Sequence, residues 1–150
     1  MPALTTDSPF GPLTLVEEDG AITRLDWGGT SADQTPLLTE AARQLTAYFA
    51  GKLTEFDLPL APAGTPSRRR FLDALIAIPY GETRTYGDMA KALGISPQAA
   101  GQACGANPIP IIIPYHRVTG TGNLGGFSAP GGIETKVALR EHEGAASLLL

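Results

Sequence analysis

The sequence holds 150 residues, 43% hydrophobic and 17% charged, with a formal net charge of −4. These values suit a soluble globular chain with one sizeable core or two small units. No apolar run approaches membrane-spanning length, and MPALTTDSPFG has no charged-then-apolar signal pattern. A cytoplasmic location and no membrane partner are therefore expected. The single cysteine, Cys104, excludes an internal disulfide framework. One cysteine and two histidines are too few for a closed zinc site, so neither a metal nor a cofactor is expected.

Charge is unevenly spread. Residues 1–66 carry three basic and nine acidic side chains, and residues 67–150 carry eight basic and six acidic ones. Either this is scatter, or an acidic scaffold is joined to a mildly basic binding half.

Along the chain, PLTLVEEDGAITRLDW has two alternating runs, Leu13–Val16 and Ala21–Trp27, around the turn signal Asp19-Gly20. That pattern predicts a hairpin. TPLLTEAARQLTAYFAG follows as a helix. Thr35 is its N-cap, Pro36 its first residue, and Leu38, Ala41, Leu45 and Tyr48–Phe49 form its apolar face. Gly51 is its stop. DLPLAPAGTP reads as a linker. The boundaries implied are a small α/β domain over 1–62 and a mostly helical domain over 66–150.

The second domain opens on TPSRRRFLDALIAIPYG, a helix with Phe71, Leu75 and Ile78 inward. In TYGDMAKALG, Thr85 and Asp88 resemble a capping box, and Gly94 ends the helix. SPQAAGQACGANP starts again at Ser96, with Pro97 at the first position. Two short helices around a glycine-containing turn make a helix-turn-helix signature. The small residues of the second, Ala99 to Ala106, suit either close packing or close approach to DNA. IPIIIP reads as a short buried extended segment. TGTGNLGGFSAPGG reads as a long surface loop. IETKVALREHEG forms a last helix. The fold class expected is α+β.

The candidate chemistry lies in Tyr115-His116-Arg117, the glycine-rich loop and the terminal EHEG. A histidine between an acid and a reacting group follows the general triad logic. Here the residue before the histidine is a tyrosine.

Four segments, IPYGETRTYGDMAKALG, GANPIPIIIPYHRV, GGFSAPGG and ETKVALREHEG, resemble the O6-alkylguanine-DNA alkyltransferases in family order. SPFGPLTL and the helix after it suit that family's amino-terminal domain. The resemblance implies a DNA-repair function and a partner, double-stranded DNA containing O6-alkylguanine, bound by a monomer. It implies that His116 matches the histidine that activates the acceptor cysteine through water, and Glu143 the carboxylate that orients it. Asn107 matches the asparagine holding the turn, and Tyr86 the tyrosine that drives base flipping. Arg117, Val118 and Ser128 fall at base- or DNA-binding positions. Ser96, Gln98 and Ala99 begin the matching recognition helix.

Two departures stand out. Tyr115 occupies the acceptor position, where the family has cysteine. A phenol with pKa of about 10 is roughly 0.1% ionised at neutral pH, so alkyl transfer to it is disfavoured. The missing cysteine is similar to the alkyltransferase-like proteins, which bind alkylated DNA and mark it for nucleotide-excision repair proteins. Gln98 stands where the family has an arginine finger, which implies weaker flipping. The expectation is a lesion sensor without transferase activity. The alternatives are a Cys-to-Tyr variant of an active methyltransferase, or transfer to Tyr115 or Cys104.

Overall fold

The computed structural model describes residues 1–120 and 130–144. The chain divides into two compact units, Met1–Ala63 and Gly64–Leu150. The architecture is α+β, as the sequence implies.

In the first unit, β1 (Ala3–Thr6), β2 (Leu13–Glu18) and β3 (Ala21–Trp27) form an antiparallel sheet in the order β1-β2-β3. The hairpin turns at Asp19 and Gly20, both at positive φ, which two-residue hairpin turns of this kind require. A bulge between Val16 and Glu17 shifts the β2–β3 register. Strand β1 is an addition to the predicted hairpin. Helix α1 (Pro36–Phe49) begins as predicted: the Thr35 hydroxyl accepts from the Leu38 amide at 3.0 Å. Its buried side chains include Leu38, Ala41, Leu45 and Tyr48, and the sheet contributes Leu13, Leu15, Ile22 and Leu25 to the core.

Part of the proline-rich stretch read as a linker belongs to this unit. Ile22 donates to Pro59 O and accepts from the Ala61 amide, both at 2.8 Å, so Leu60 bridges the edge of β3. Proline does not prevent this, because the bonds fall on the amides and carbonyls it leaves available.

The second unit contains α2 (Pro66–Ile76), β4 (Arg84–Thr85), α3 (Tyr86–Leu93), α4 (Pro97–Gly105), β5 (Val118–Thr119) and α5 (Ile133–His142). Helix α2 buries Phe71, Leu72 and Leu75. The capping box of α3 is complete: Thr85 Oγ1 accepts from the Asp88 amide at 3.0 Å, and the Asp88 carboxylate accepts from the Thr85 amide at 3.2 Å. Gly94 ends α3 in the left-handed conformation, and Ser96 caps α4 through the Ala99 amide at 3.1 Å. Helix α4 turns Ala100 and Cys104 inward, four residues apart on one face. The two-residue strands β4 and β5 pair in parallel, Arg84 with Val118 and Thr85 with Thr119. That pairing sets Tyr86, the first residue of α3, in the segment that follows β4, while β5 directly follows Tyr115-His116-Arg117.

IPIIIP is buried as expected, but it is not extended. Pro108, Pro110 and Pro114 offer no amide to a ladder, and the segment folds into successive turns. Ile112 N donates to Pro110 O at 2.8 Å, closing a three-residue turn around Ile111 at φ 71°. A β-branched residue in that region is strained by about 1–3 kcal/mol. Tyr115 N donates to Ile113 O at 2.8 Å around Pro114, at φ −82° and ψ 69°, an inverse γ-turn. Most of the predicted glycine-rich loop, including Ser128, lies outside the described residues.

Candidate active site

The site grows from the turn that IPIIIP builds. Asn107 braces it from inside. Its Nδ2 donates to Ile113 O at 2.9 Å, and its Oδ1 accepts from Ile109 N at 3.0 Å. One side chain thus ties the entry and exit of the strained segment. The chain leaves as a single 3₁₀ turn, Tyr115–Arg117, whose three side chains are all buried. Helix α5 packs against this turn.

Glu143, at the C-cap of α5, meets two side chains of the 3₁₀ turn. His116 Nε2 lies 2.7 Å from its Oε2. Arg117 Nε donates to Oε1 at 2.8 Å and Nη2 to Oε2 at 3.1 Å. Arg117 Nη1 donates to Ile78 O at 2.6 Å, and its guanidinium lies 5.8 Å from the Tyr80 ring centre. Arg117, matched above to a DNA- or base-binding position, is 8% exposed and directs its donors into the protein. A buried arginine needs such partners, because an uncompensated charge in the interior is strongly destabilising.

The carboxylate of Glu143 accepts hydrogen bonds and donates none, so His116 Nε2 carries the proton toward it. Burial holds the imidazole pKa below its usual value, even though Glu143 favours the charged form. In the neutral imidazole the lone pair is therefore on Nδ1. That nitrogen is fully buried and has no hydrogen-bond partner among the described residues. The geometry prepares a base and points it away from its orienting acid.

The Tyr115 phenol is engaged elsewhere. It is hydrogen-bonded to the phenol of Tyr86. Burial raises the Tyr115 pKa, the bond to Tyr86 lowers it, and Cys104 raises it. Burial is also the main reason that Tyr86 is held above its ordinary value. Lys136 of α5 lies over both rings, with Nζ 5.2 Å from the Tyr115 centre and 5.7 Å from that of Tyr86. Lys136 is fully buried. Burial pushes its ammonium down to about 8, with Cys104 acting against the shift and Arg140 adding to it. Cys104 belongs to the same cluster, contrary to its expected position away from this site. Burial pushes its thiol up to about 12, which leaves almost no reactive thiolate at neutral pH.

The structure thus brings two groups together: His116, Arg117 and Glu143, and Tyr86, Tyr115, Lys136 and Cys104. Val118 is buried in β5. Ser96 and Gln98 are exposed and Ala99 is half-buried, all at the start of α4. Lys136 and Arg140 were not singled out from the sequence. Their spacing from Glu143, at seven and three residues, places all three on one helical face, and an inward Glu143 carries them inward too. Among the described residues, no group of histidine, cysteine and acidic side chains is placed to hold a metal ion.

A two-part α+β chain with a buried His–Glu pair behind a proline-framed turn matches one protein class, the DNA alkyltransferases. Residues 66–145 match the family described as 6-O-methylguanine DNA methyltransferase, DNA binding domain, and residues 3–62 match its ribonuclease-like domain. The chain belongs to the 6-O-methylguanine DNA methyltransferase family. It is 45% identical over 150 residues to the methylated-DNA–protein-cysteine methyltransferase of Mycobacterium tuberculosis (strain H37Rv), covering 93% of this chain and 90% of the relative. It is 44% identical over 131 residues to the constitutive methylated-DNA–protein-cysteine methyltransferase of Bacillus subtilis, covering 77% and 79%. The crystal structure of Mycobacterium tuberculosis OGT in complex with DNA superposes with a TM-score of 0.86 at 44% identity, covering 97% of this chain and 94% of that one.

Proposed function

We propose that this chain binds double-stranded DNA and takes an extruded O6-alkylguanine base into a pocket walled by Tyr115, without transferring the alkyl group to itself. The observation that carries this reading is the separation of base from acceptor. His116 presents a buried lone pair at Nδ1 with no partner among the described residues, while the Tyr115 hydroxyl is bonded to Tyr86. Nucleophilic catalysis needs the acceptor's proton within reach of the base. Neither the phenol nor the Cys104 thiol ionises readily at neutral pH.

DNA as the partner is supported by family membership and by the related structure in complex with DNA. Chemistry or recognition at O6 of a paired guanine requires extrusion of the base, at roughly a few kcal/mol. Ser96, Gln98 and Ala99 sit where α4 would meet the duplex. Its small residues allow close approach, and the helix N-terminus suits phosphate. Gln98 fills the space left by the base more weakly than arginine would. Backbone groups near Val118 and Ser128 read the base edge. The bound lesion then passes to excision repair.

A titration of the chain with duplexes containing O6-methylguanine or guanine, followed by intact-mass spectrometry, tests this. The expected result is preference for the alkylated duplex with unchanged protein mass. A gain of one methyl, or no binding to either duplex, overturns it. The intact His116–Glu143 pair favours one second reading: a methyltransferase that lacks only its acceptor.

A further inference from the structure

The Tyr86–Tyr115 bond has a consequence for access to the site. Three segments converge there: the start of α3, the 3₁₀ turn and α5. Tyr115 is 6% exposed, whereas Tyr86 is half-buried. The Tyr115 hydroxyl is bonded to Tyr86 and its ring faces the Lys136 ammonium at 5.2 Å. A base entering a pocket walled by Tyr115 would use either that hydroxyl or that ring, and both are already occupied. We propose that Tyr86, Tyr115 and Lys136 form a latch that holds the base site shut in the free protein, and that base entry breaks the bond between the two phenols.

The latch rests on the DNA-binding reading above and adds its regulation. It is reversible, because each group released has another partner. Tyr86 is partly open to solvent, so water or a phosphate oxygen can satisfy its hydroxyl. The Tyr115 hydroxyl can turn to a polar edge of the incoming base. Closing costs the protein little, since each phenol satisfies the other, and a buried phenol left alone would be unfavourable. Opening exchanges one hydrogen bond for another. The net value of one such bond corresponds to a change in affinity of roughly two- to tenfold.

Tyr115→Phe keeps the ring and removes the hydroxyl, so it opens the latch while preserving the wall. The variant is expected to bind O6-methylguanine duplex roughly two- to tenfold more tightly than the parent. Fluorine NMR of the parent carrying 3-fluorotyrosine gives an independent readout that does not depend on the variant's folding. The Tyr115 resonance is expected to move when the duplex saturates. Equal or weaker binding by a folded Tyr115→Phe, or a Tyr115 resonance that stays in place while DNA is bound, overturns the latch and leaves the DNA reading intact. No DNA binding by either protein overturns both.

Discussion

Glu143 holds His116 and Arg117 at the same time, 2.7 Å from His116 Nε2 and 2.8 Å from Arg117 Nε. The carboxylate therefore has two functions. It orients the imidazole so that Nδ1 is the free base, and it compensates the buried guanidinium. These functions separate on mutation. Glu143→Gln keeps the shape but removes the charge, leaving Arg117 as an uncompensated buried cation. Breaking one side of such a pair destabilises by about 3–5 kcal/mol. Urea unfolding should show that loss. Adding Arg117→Met should recover much of it, because the double variant buries no lone charge. A double variant less stable than Glu143→Gln alone would mean that Arg117 is held mainly by Ile78 O and Tyr80.

Lys136 gives the fold an unusual pH dependence. Its folded-state pKa is lowered from 10.5 to about 8. Between those values the unfolded chain binds more protons than the folded one, so stability rises with pH. Below about 8 both states are protonated and the penalty for the buried cation is fully present. Above 10.5 the penalty is gone. A shift of that size corresponds to roughly 3 kcal/mol. Lys136→Met should be more stable than the parent at pH 7, and the difference should shrink as pH rises from 8 toward 10.5. Thermal melts across that range test it. A difference independent of pH would show that Lys136 acts through packing alone.

What the sequence made legible follows from where each signal resides. Caps and stops are local chemistry, so Thr35, Thr85 with Asp88, Ser96 and Gly94 perform in the structure as they read in the sequence. Strand β1 and the Leu60 bridge depend on partners distant in the chain, and a four-residue strand has too little pattern to announce itself. IPIIIP misled because β-branched composition suggests a strand, whereas three prolines withhold the donors a strand needs. The His116–Glu143 juxtaposition could be expected only through family resemblance, since nothing local joins residues in separate segments. Lys136 and Arg140 were within reach of helical periodicity. They were passed over because charged residues on a terminal helix normally face solvent.

Asn107 supports the one strained turn. Its two hydrogen bonds tie Ile109 and Ile113 on either side of Ile111, which sits at φ 71°. Asn107→Ala removes both bonds and leaves buried backbone groups unsatisfied. A loss of about 2–4 kcal/mol is expected from two net hydrogen bonds and their desolvation. Because the turn carries His116, hydrogen exchange at the amides of 112–117 should accelerate more than in α1. A uniform effect across both units would argue against a local brace.

Tyr115→Cys is the substitution that separates the two functional readings. It places a small thiol ahead of the buried Nδ1 of His116 and removes the phenol that bonds Tyr86. A thiol with pKa near about 8.5 is a few per cent thiolate at neutral pH, and a neighbouring base increases that share. If the chain lacks only its acceptor, incubation with O6-methylguanine duplex adds one methyl to the protein, and peptide mapping places it at position 115. Cys104 serves as the internal control, because its thiol is pushed up to about 12 by burial and should remain unmodified. Adding His116→Gln should slow the transfer by roughly 10²–10⁴-fold, the usual contribution of a general base. A folded, DNA-binding Tyr115→Cys variant that gains no methyl would mean that the His116–Glu143 pair now serves structure and recognition only.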